Sequence, residues 1–498
     1  MTKKENIFKL WFISLIILLG FDFKPVFSYI SLPLKYLPKK HYKFLQTDNI
    51  INKPELVIKD LFYKRLITNI TIGTPEKSQM LFIDTNDNDF YLTSLNPTSK
   101  SKERYSFSLF YDFGENFFYN ESESSSYVLE ECHEDEFNDY KEICFAKELI
   151  KFDFGSHTSV KKFPIKVAKG EDEPIPGVIG LSINNSKTYS LKSFLSELKS
   201  ENLIKDYYFF FDCEKFYPLQ SLIKGNLIIG DLPHNIFPDK YSTKDFVTME
   251  LDSNNSCWTF NIDKIEMESN NTKKDIQINI TKVHVFYEFY NVIGNTEFID
   301  EIKELFLKKL MDQNKCFHGK FSQNLFAHED LNFFYCLFSV ENILIEHLSG
   351  IKFYSKSLNY TFELTKDELY YKKGRYIYLN ILHFNNLYTD WIVGQMLTSK
   401  YHFVFNTNTS EISFYKKLNN DINTDNNDNE GNSPIDGDNR TKILSIVIMV
   451  SSCLLIIGII IGIVILIKFL KNKRKKRVDE LNDDEYDYTA KIDDIKIN

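Results

Sequence analysis

The sequence lacks net positive charge. Across 498 residues, 60 Lys and Arg are set against 69 Asp and Glu, a formal net charge of −9. No broad basic surface is available to offset phosphate charge, which argues against a general nucleic-acid partner. Metal-ligand spacing is missing too: there is no Cys-x-x-Cys and no His/Cys pattern of the kind that holds zinc. No metal or organic cofactor is implied. Helical periodicity is scarce, and only LKSFLSELKSENL and FIDEIKELFLKKLM carry it clearly. Long apolar runs are confined to two places, one near each end of the chain.

Those two runs predict the topology. The first follows Lys3 and Lys4, extends from Leu10 to Leu19 and leads to Val26-Phe27-Ser28, so residues 1–28 read as a secretory signal peptide cleaved near Ser28. An uncleaved anchor is the alternative. The second, residues 443–467, is 25 residues without a charge, long enough to span a bilayer with some tilt. The next ten residues, KFLKNKRKKR, carry seven Lys or Arg and place the tail, 468–498, in the cytosol. Just before the span, residues 419–440 hold thirteen Asn or Asp among 22 and bury too little apolar surface to fold, so they read as a stalk. The expectation is a single-pass type I membrane protein of the secretory pathway, its ectodomain lumenal or extracellular.

Cysteine usage fits that compartment. Cys453 lies in the predicted span, whereas Cys132, Cys144, Cys213, Cys257, Cys316 and Cys336 precede it. Six thiols in an oxidising space allow up to three disulfides in 15 connectivities. The local pairs Cys132–Cys144 and Cys316–Cys336 are favoured.

Residues 29–55 are polar, with Pro33, Pro38 and a Lys-Lys-His cluster, and read as an N-terminal extension or pro-segment. From about Leu56 the pattern turns to short β-type runs: ITNITI, QMLFID, SYVLE, KFPIKVA, GVIGLS, YYFFF and NLIIG, punctuated by Gly, Pro and Asn. The chain is mainly β with minor helices.

Several of these runs form an ordered set. ITNITIGTPEKSQMLFIDTNDNDFYLTS resembles the strand, Ile-Gly-Thr-Pro turn and catalytic hairpin of the pepsin-like aspartic proteases (peptidase A1), and among them the membrane-anchored plasmepsins. IPGVIGLS is similar to the stretch that closes the first catalytic loop. SFLSELKSENLIKDYYFFF with KGNLIIGDLP resembles the end of the first lobe, SCWTFNIDKIEM the entry to the second, and WIVGQMLTSKYHFVFNTNTSEISFYK the closing motif. The resemblance implies two β-rich lobes, 56–234 and 235–418, around a cleft to which each lobe gives one catalytic loop. Val178-Ile179-Gly180 and Ile392-Val393-Gly394 keep the scaffold of both loops.

Hydrolysis in that family requires two carboxylates close enough to share one proton, one acting as base toward water and the other as acid toward the carbonyl. The first position is kept as Asp84, followed by Thr85, which the resemblance implies helps lock the loops together. The glycine and serine that follow are replaced by Asn86 and Asp87, and a second charge beside Asp84 is expected to raise its pKa or push it away. Read without the resemblance, DTNDND is an acidic turn that Asp84 caps. In the second lobe VHVFYEFYNVIGNTEFI aligns without a gap, and Phe286 stands at the second catalytic position, Tyr287 at the Thr and Glu288 at the Gly. Glu288 lies roughly 6–7 Å further along an extended chain, so it is not expected to share a proton with Asp84. A lone carboxylate supplies about 10²–10⁴-fold, far short of amide hydrolysis. Tyr140 is the candidate for the family's flap tyrosine, with an ordinary surface aromatic as the other reading.

Three functions are expected from these features. The first is a catalytically inactive pseudoprotease that holds a peptide or protein partner in its cleft. The second is an active aspartic endopeptidase using Asp84 and an unidentified second acid. The third is a surface or secretory receptor with a vestigial cleft.

Overall fold

The structure is a computed structural model. It describes residues 29–416 apart from 38–52, 88, 95–116, 135–141, 156, 170–175, 184–192, 214–222, 251–256, 269–272, 277–280, 323–329 and 385–388. The predicted signal peptide, stalk, membrane span and tail, and Tyr140, lie outside the described residues. Among the described residues no helix is long and apolar enough to cross a membrane.

The strands fall where period-two apolar patterns place them. In chain order the first half contributes β1 (Ile30–Tyr36), α1 (Pro54–Phe62), β2 (Leu66–Ile72), β3 (Lys77–Asp84), β4 (Phe90–Thr93), β5 (Val128–Glu134), β6 (Glu142–Asp153), β7 (Thr158–Lys169), β8 (Val178–Gly180), β9 (Tyr208–Cys213) and β10 (Gly225–Ile229). They belong to a thirteen-stranded sheet, which ends at β5 on one side. On the other side the sheet is completed by Phe246–Glu250, Val404–Asn406 and Glu411–Tyr415 from the second half. The rest of the second half forms a nine-stranded and a four-stranded sheet. The two halves are thus joined by a shared sheet as well as by chain.

Residues 29–55, expected as an extension or pro-segment, begin with an element of the shared sheet. β1 pairs with β10 through Ile30↔Ile229 and with β2 through Leu34↔Thr68. Its alternating burial puts Ile30, Leu32, Leu34 and Tyr36 in the core. Pro33 is tolerated because its register partner Asn226 ends the β10 ladder.

The same knot occurs once in each half. In the first, β8 runs parallel to β3 (Ile83↔Ile179, Asp84↔Gly180) and antiparallel to β4 (Phe90↔Ile179), so it is inserted between the arms of their loop. In the second, Trp391–Val393 runs parallel to Thr281–Val285 (Val285↔Val393) and antiparallel to Val292–Ile293. The loop backbone then crosses the inserted strand so closely that only glycine fits. A Cβ on Gly180 would lie 2.5 Å from the Asp89 carbonyl oxygen, and one on Gly394 2.5 Å from that of Phe289.

Aromatic and polar contacts clamp the halves together. Trp258 Nε1 donates to the Leu181 carbonyl at 3.1 Å, and Tyr287 stacks on Phe211 with centroids 3.8 Å apart. Gln395 is fully buried and donates to the carbonyls of both Lys64 and Tyr287 at 2.8 Å. Both N–H groups of this buried amide are thereby paired, one on each side of the junction.

Both favoured disulfides are present, Cys132–Cys144 and Cys316–Cys336, each joining residues directly opposite in an antiparallel pair. Cys213 and Cys257 are not disulfide-bonded. Cys213 is buried on β9, and burial pushes its thiol pKa up, while Cys257 is half-buried. Native alkylation followed by mass spectrometry should therefore modify Cys257 readily and spare Cys213 until the protein is denatured. Labelling of both at one rate, or a peptide linking them, would contradict this arrangement.

Candidate active site at the junction of the lobes

The two knots deliver their loops to one place. Asp84 ends β3, and its carbonyl accepts the N–H of Leu181 just past the inserted strand. Phe286 follows Thr281–Val285 and donates its N–H to the Val393 carbonyl at 3.0 Å. Asp84 and Phe286 hold equivalent positions in two related loops. Only one of them is acidic.

Thr85 connects the loops. It is fully buried, and its Oγ1 accepts the backbone N–H of Tyr287 at 3.3 Å. The same hydroxyl donates to Glu288 Oε1 at 3.1 Å, and the Thr85 N–H donates to that oxygen at 2.6 Å. Tyr287, in the threonine position of the second loop, turns its ring into the core, where its hydroxyl meets Thr398. Glu288 supplies the acceptor that bridges the lobes.

The expectation for Glu288 requires correction. Distance along its own strand was the wrong measure, because the side chain reaches across the junction rather than along the chain. Its carboxyl lies within hydrogen-bond reach of Asp84 and is only 5% exposed. Burial above all, then the charge of Asp84 and the hydrogen bond with it, push Glu288 up to about 8, against the opposing pull of Arg65 and the Thr85 N–H. Glu288 therefore keeps its proton through neutrality.

The turn after Asp84 is capped as its composition suggests. Asp84 Oδ1 accepts the N–H of Asn86 at 2.7 Å and of Asp87 at 3.1 Å. Asn86 does not adopt the left-handed conformation, which among non-glycine residues falls on Asn202, Asn314, Asn359, His402 and Ser410. Asp87 is itself pushed up to about 6, mainly by burial, while its Oδ1 accepts the Asp89 N–H. Asp89 pairs with Lys166 at 2.6 Å.

Phe286 is half-buried and stacks on Phe289 at 6.0 Å, which stacks on Phe62 of α1 at 5.2 Å. Three near-parallel rings thus line up behind the second loop. β5 and β6 form the hairpin expected as the flap, cross-linked by Cys132–Cys144. Cys132, Glu142 and Cys144 are grouped closely enough to suggest a metal site, but the disulfide occupies both sulfurs.

Sequence reasoning missed two residues of this site, Glu288 as a partner of Asp84 and Arg65 as the buried cation acting on Glu288. An acid at the turn glycine of a motif whose first Asp is intact was the available signal. For Arg65, directly ahead of β2, the sequence offers none.

Twin inserted-strand loops meeting at an acid, beneath two lobes and a shared sheet, define the architecture of a bilobal aspartic protease. The family model described as eukaryotic aspartyl protease matches residues 65–417, most of the chain, and the chain belongs to that family. No curated protein matches it.

Glu288 carries a prediction about pH. The folded chain holds its proton to about pH 8, whereas the unfolded chain releases it near 4.5, so the folded state binds more protons between those values. Stability is greatest below 4.5 and falls as pH rises toward 8. Asp87 acts in the same sense between 3.8 and about 6. Glu288→Gln keeps an acceptor for Thr85 and removes the titration. Thermal melts from pH 4 to 8.5 should show a shallower fall in the variant, which at pH 8 should be at least as stable as the parent. Parallel profiles would refute the assignment of Glu288 as a buried, protonated acid.

Proposed function

We propose that this protein is a non-hydrolysing member of the eukaryotic aspartyl protease family. On this reading it binds an extended peptide or a partner's exposed segment in its cleft, and residues 443–467 anchor it in a secretory-pathway membrane. The observation that supports this most is the division of labour in the second loop. Phe286 occupies the catalytic position, and the nearby acid, Glu288, is turned into the lobe junction with Oε1 bound by both donors of Thr85. A catalytic water needs polar partners on both sides, and an aromatic ring backed by two more offers none. The two lobes and the hairpin of β5 and β6 still offer β-type backbone contacts to an extended chain.

One observation favours a second reading. Burial and the nearby Asp84 push Glu288 up to about 8, so a protonated acid stands close to a second carboxyl, as peptide hydrolysis by an acid pair requires. An endopeptidase built on this displaced pair is the competing function.

A cleavage assay separates the two. The full-length protein is incubated in detergent with a diverse peptide mixture from pH 3.5 to 7, beside Asp84→Asn and Glu288→Gln. The expected result is no turnover that distinguishes the three proteins. Cleavage by the parent that disappears in either variant would overturn the non-hydrolysing reading and assign the pair its catalytic role.

A further inference from the structure

We propose that Asn359 and Asn408 carry N-linked glycans built on N-acetylglucosamine. The proposal rests on the secretory-pathway reading above and adds a covalent modification to the ectodomain.

Four Asn-x-Ser/Thr triplets lie wholly among the described residues, starting at Asn69, Asn120, Asn359 and Asn408. A glycosyltransferase of the secretory pathway reads such a triplet, and a chain rich in Asn produces triplets freely. The fold separates the four. A glycan is large and strongly hydrated, so a folded domain accepts one only where the Asn side chain faces water and the surrounding backbone is spared from pairing with a neighbour on every side.

Asn69 fails on both counts. It lies inside β2, opposite Met80 of β3, while Thr68 and Thr71 pair the same strand to β1 and β6. Its Nδ2 donates to Ser78 Oγ at 3.2 Å, and its Oδ1 is buried. Asn120 is half-buried and caps a short turn, where its Oδ1 accepts the N–H of Ser122 at 3.3 Å and the hydroxyl of Ser122 at 2.7 Å. The hydroxyl that completes its triplet is therefore already committed.

Asn359 and Asn408 stand at the tips of two hairpins, both exposed. Asn359 ends the turn 356–359 that joins Gly350–Ser355 to Tyr360–Thr365, the outer strand of the four-stranded sheet. Its φ of 45° is the left-handed conformation that Asn tolerates in turns, and its N–H donates to the Lys356 carbonyl at 3.1 Å. Its side chain has no hydrogen bond among the described residues, and Thr361, two positions on, is exposed as well. Asn408 lies in the turn 407–410 between Val404–Asn406 and Glu411–Tyr415. Asn406 organises that turn: its Oδ1 accepts the N–H of Asn408 at 3.0 Å and of Thr409 at 3.3 Å. The Asn408 side chain is thus left to solvent.

The third residue of the second triplet adds an independent argument. Ser410 has a φ of 55°, a left-handed conformation that suits glycine or Asn better than serine. Its hydroxyl makes no hydrogen bond among the described residues, so the turn gains nothing from it. A hydroxyl two residues after Asn is what the transferase requires. The transfer forms a bond from the Asn Nδ2 to the anomeric carbon of N-acetylglucosamine and breaks that carbon's bond to the pyrophosphate of a lipid-linked oligosaccharide. The lipid pyrophosphate leaves and the amide gives up one proton.

The test uses full-length protein made in an animal cell line, purified in detergent and mapped by mass spectrometry, which reads each triplet on its own peptide. The peptides with Asn359 and Asn408 should carry glycans, and the peptide with Asn69 should carry none. Asn359→Gln and Asn408→Gln should each abolish one glycan. Thr361→Ala and Ser410→Gly should do the same with the Asn in place. Ser410→Gly should also raise the melting temperature of the enzymatically deglycosylated protein, because glycine relieves the left-handed turn. Asn429→Thr completes a triplet that begins at Asn427 in the predicted stalk and reports whether the chain enters the secretory lumen. A glycan at Asn427 with Asn359 and Asn408 bare would overturn the proposal and leave the secretory reading standing, and occupancy of one alone would overturn the assignment of the other. A glycan on Asn69 of the folded protein would overturn the argument from the fold. No glycan at any position, Asn427 included, would overturn the secretory-pathway reading and the modification with it.

Discussion

The Glu288 carboxyl is buried where two lobes meet, and its burial sets the terms for everything around it. A carboxylate taken out of water must be paired, bonded or neutralised. Here all three contribute. Thr85 gives one oxygen two donors, burial and the charge of Asp84 keep the group protonated, and Arg65 supplies a nearby positive charge. Both sides of the junction contribute, so the lobes cannot separate without stranding the acid. The closely packed loops, the need for glycine at 180 and 394 and the buried amide of Gln395 all serve a geometry in which the two loops lie in contact.

This arrangement explains how the second loop accommodates a tyrosine and a glutamate at its turn. A threonine in the second loop would offer a small hydroxyl to the junction. Tyr287 sends its ring to Phe211 instead, and the junction needs another acceptor. Glu288 is long enough to provide one. The turn glycine is lost in the exchange, but Asn86 in the first loop does without a left-handed backbone as well, so neither loop depends on glycine there. Both inserted strands keep the same register, so the loops they hold meet in the same way on each side of the junction.

How far the sequence disclosed this depends on the kind of interaction. The short apolar runs became strands β2, β3, β5 and β7 to β10, because period-two burial is a local property. LKSFLSELKSENL gave the helix Phe194–Ser200, capped by Ser193, and the family's motifs appeared in order because each marks a local turn or close approach. The local disulfides were readable for the same reason. β1 was not, since its place between β10 and β2 depends on partners 30 to 34 and 193 to 199 residues away. Glu288 was misjudged because its partner lies 203 residues away in sequence and its reach is measured across the junction.

The acid pair and the ring should be considered together. Burial and the charge of Asp84 keep the Glu288 carboxyl protonated through acidic and neutral pH, so the junction can bury an acid without burying its charge. Phe286, backed by Phe289 and Phe62, gives the second loop an apolar surface. Asp87, in the turn after Asp84, is held protonated to about 6, mainly by burial and also by the charge of Asp84. The turn acid and the junction acid therefore act in one sense: each binds its proton more tightly in the folded chain, and the framework loosens as pH rises through 6 toward 8.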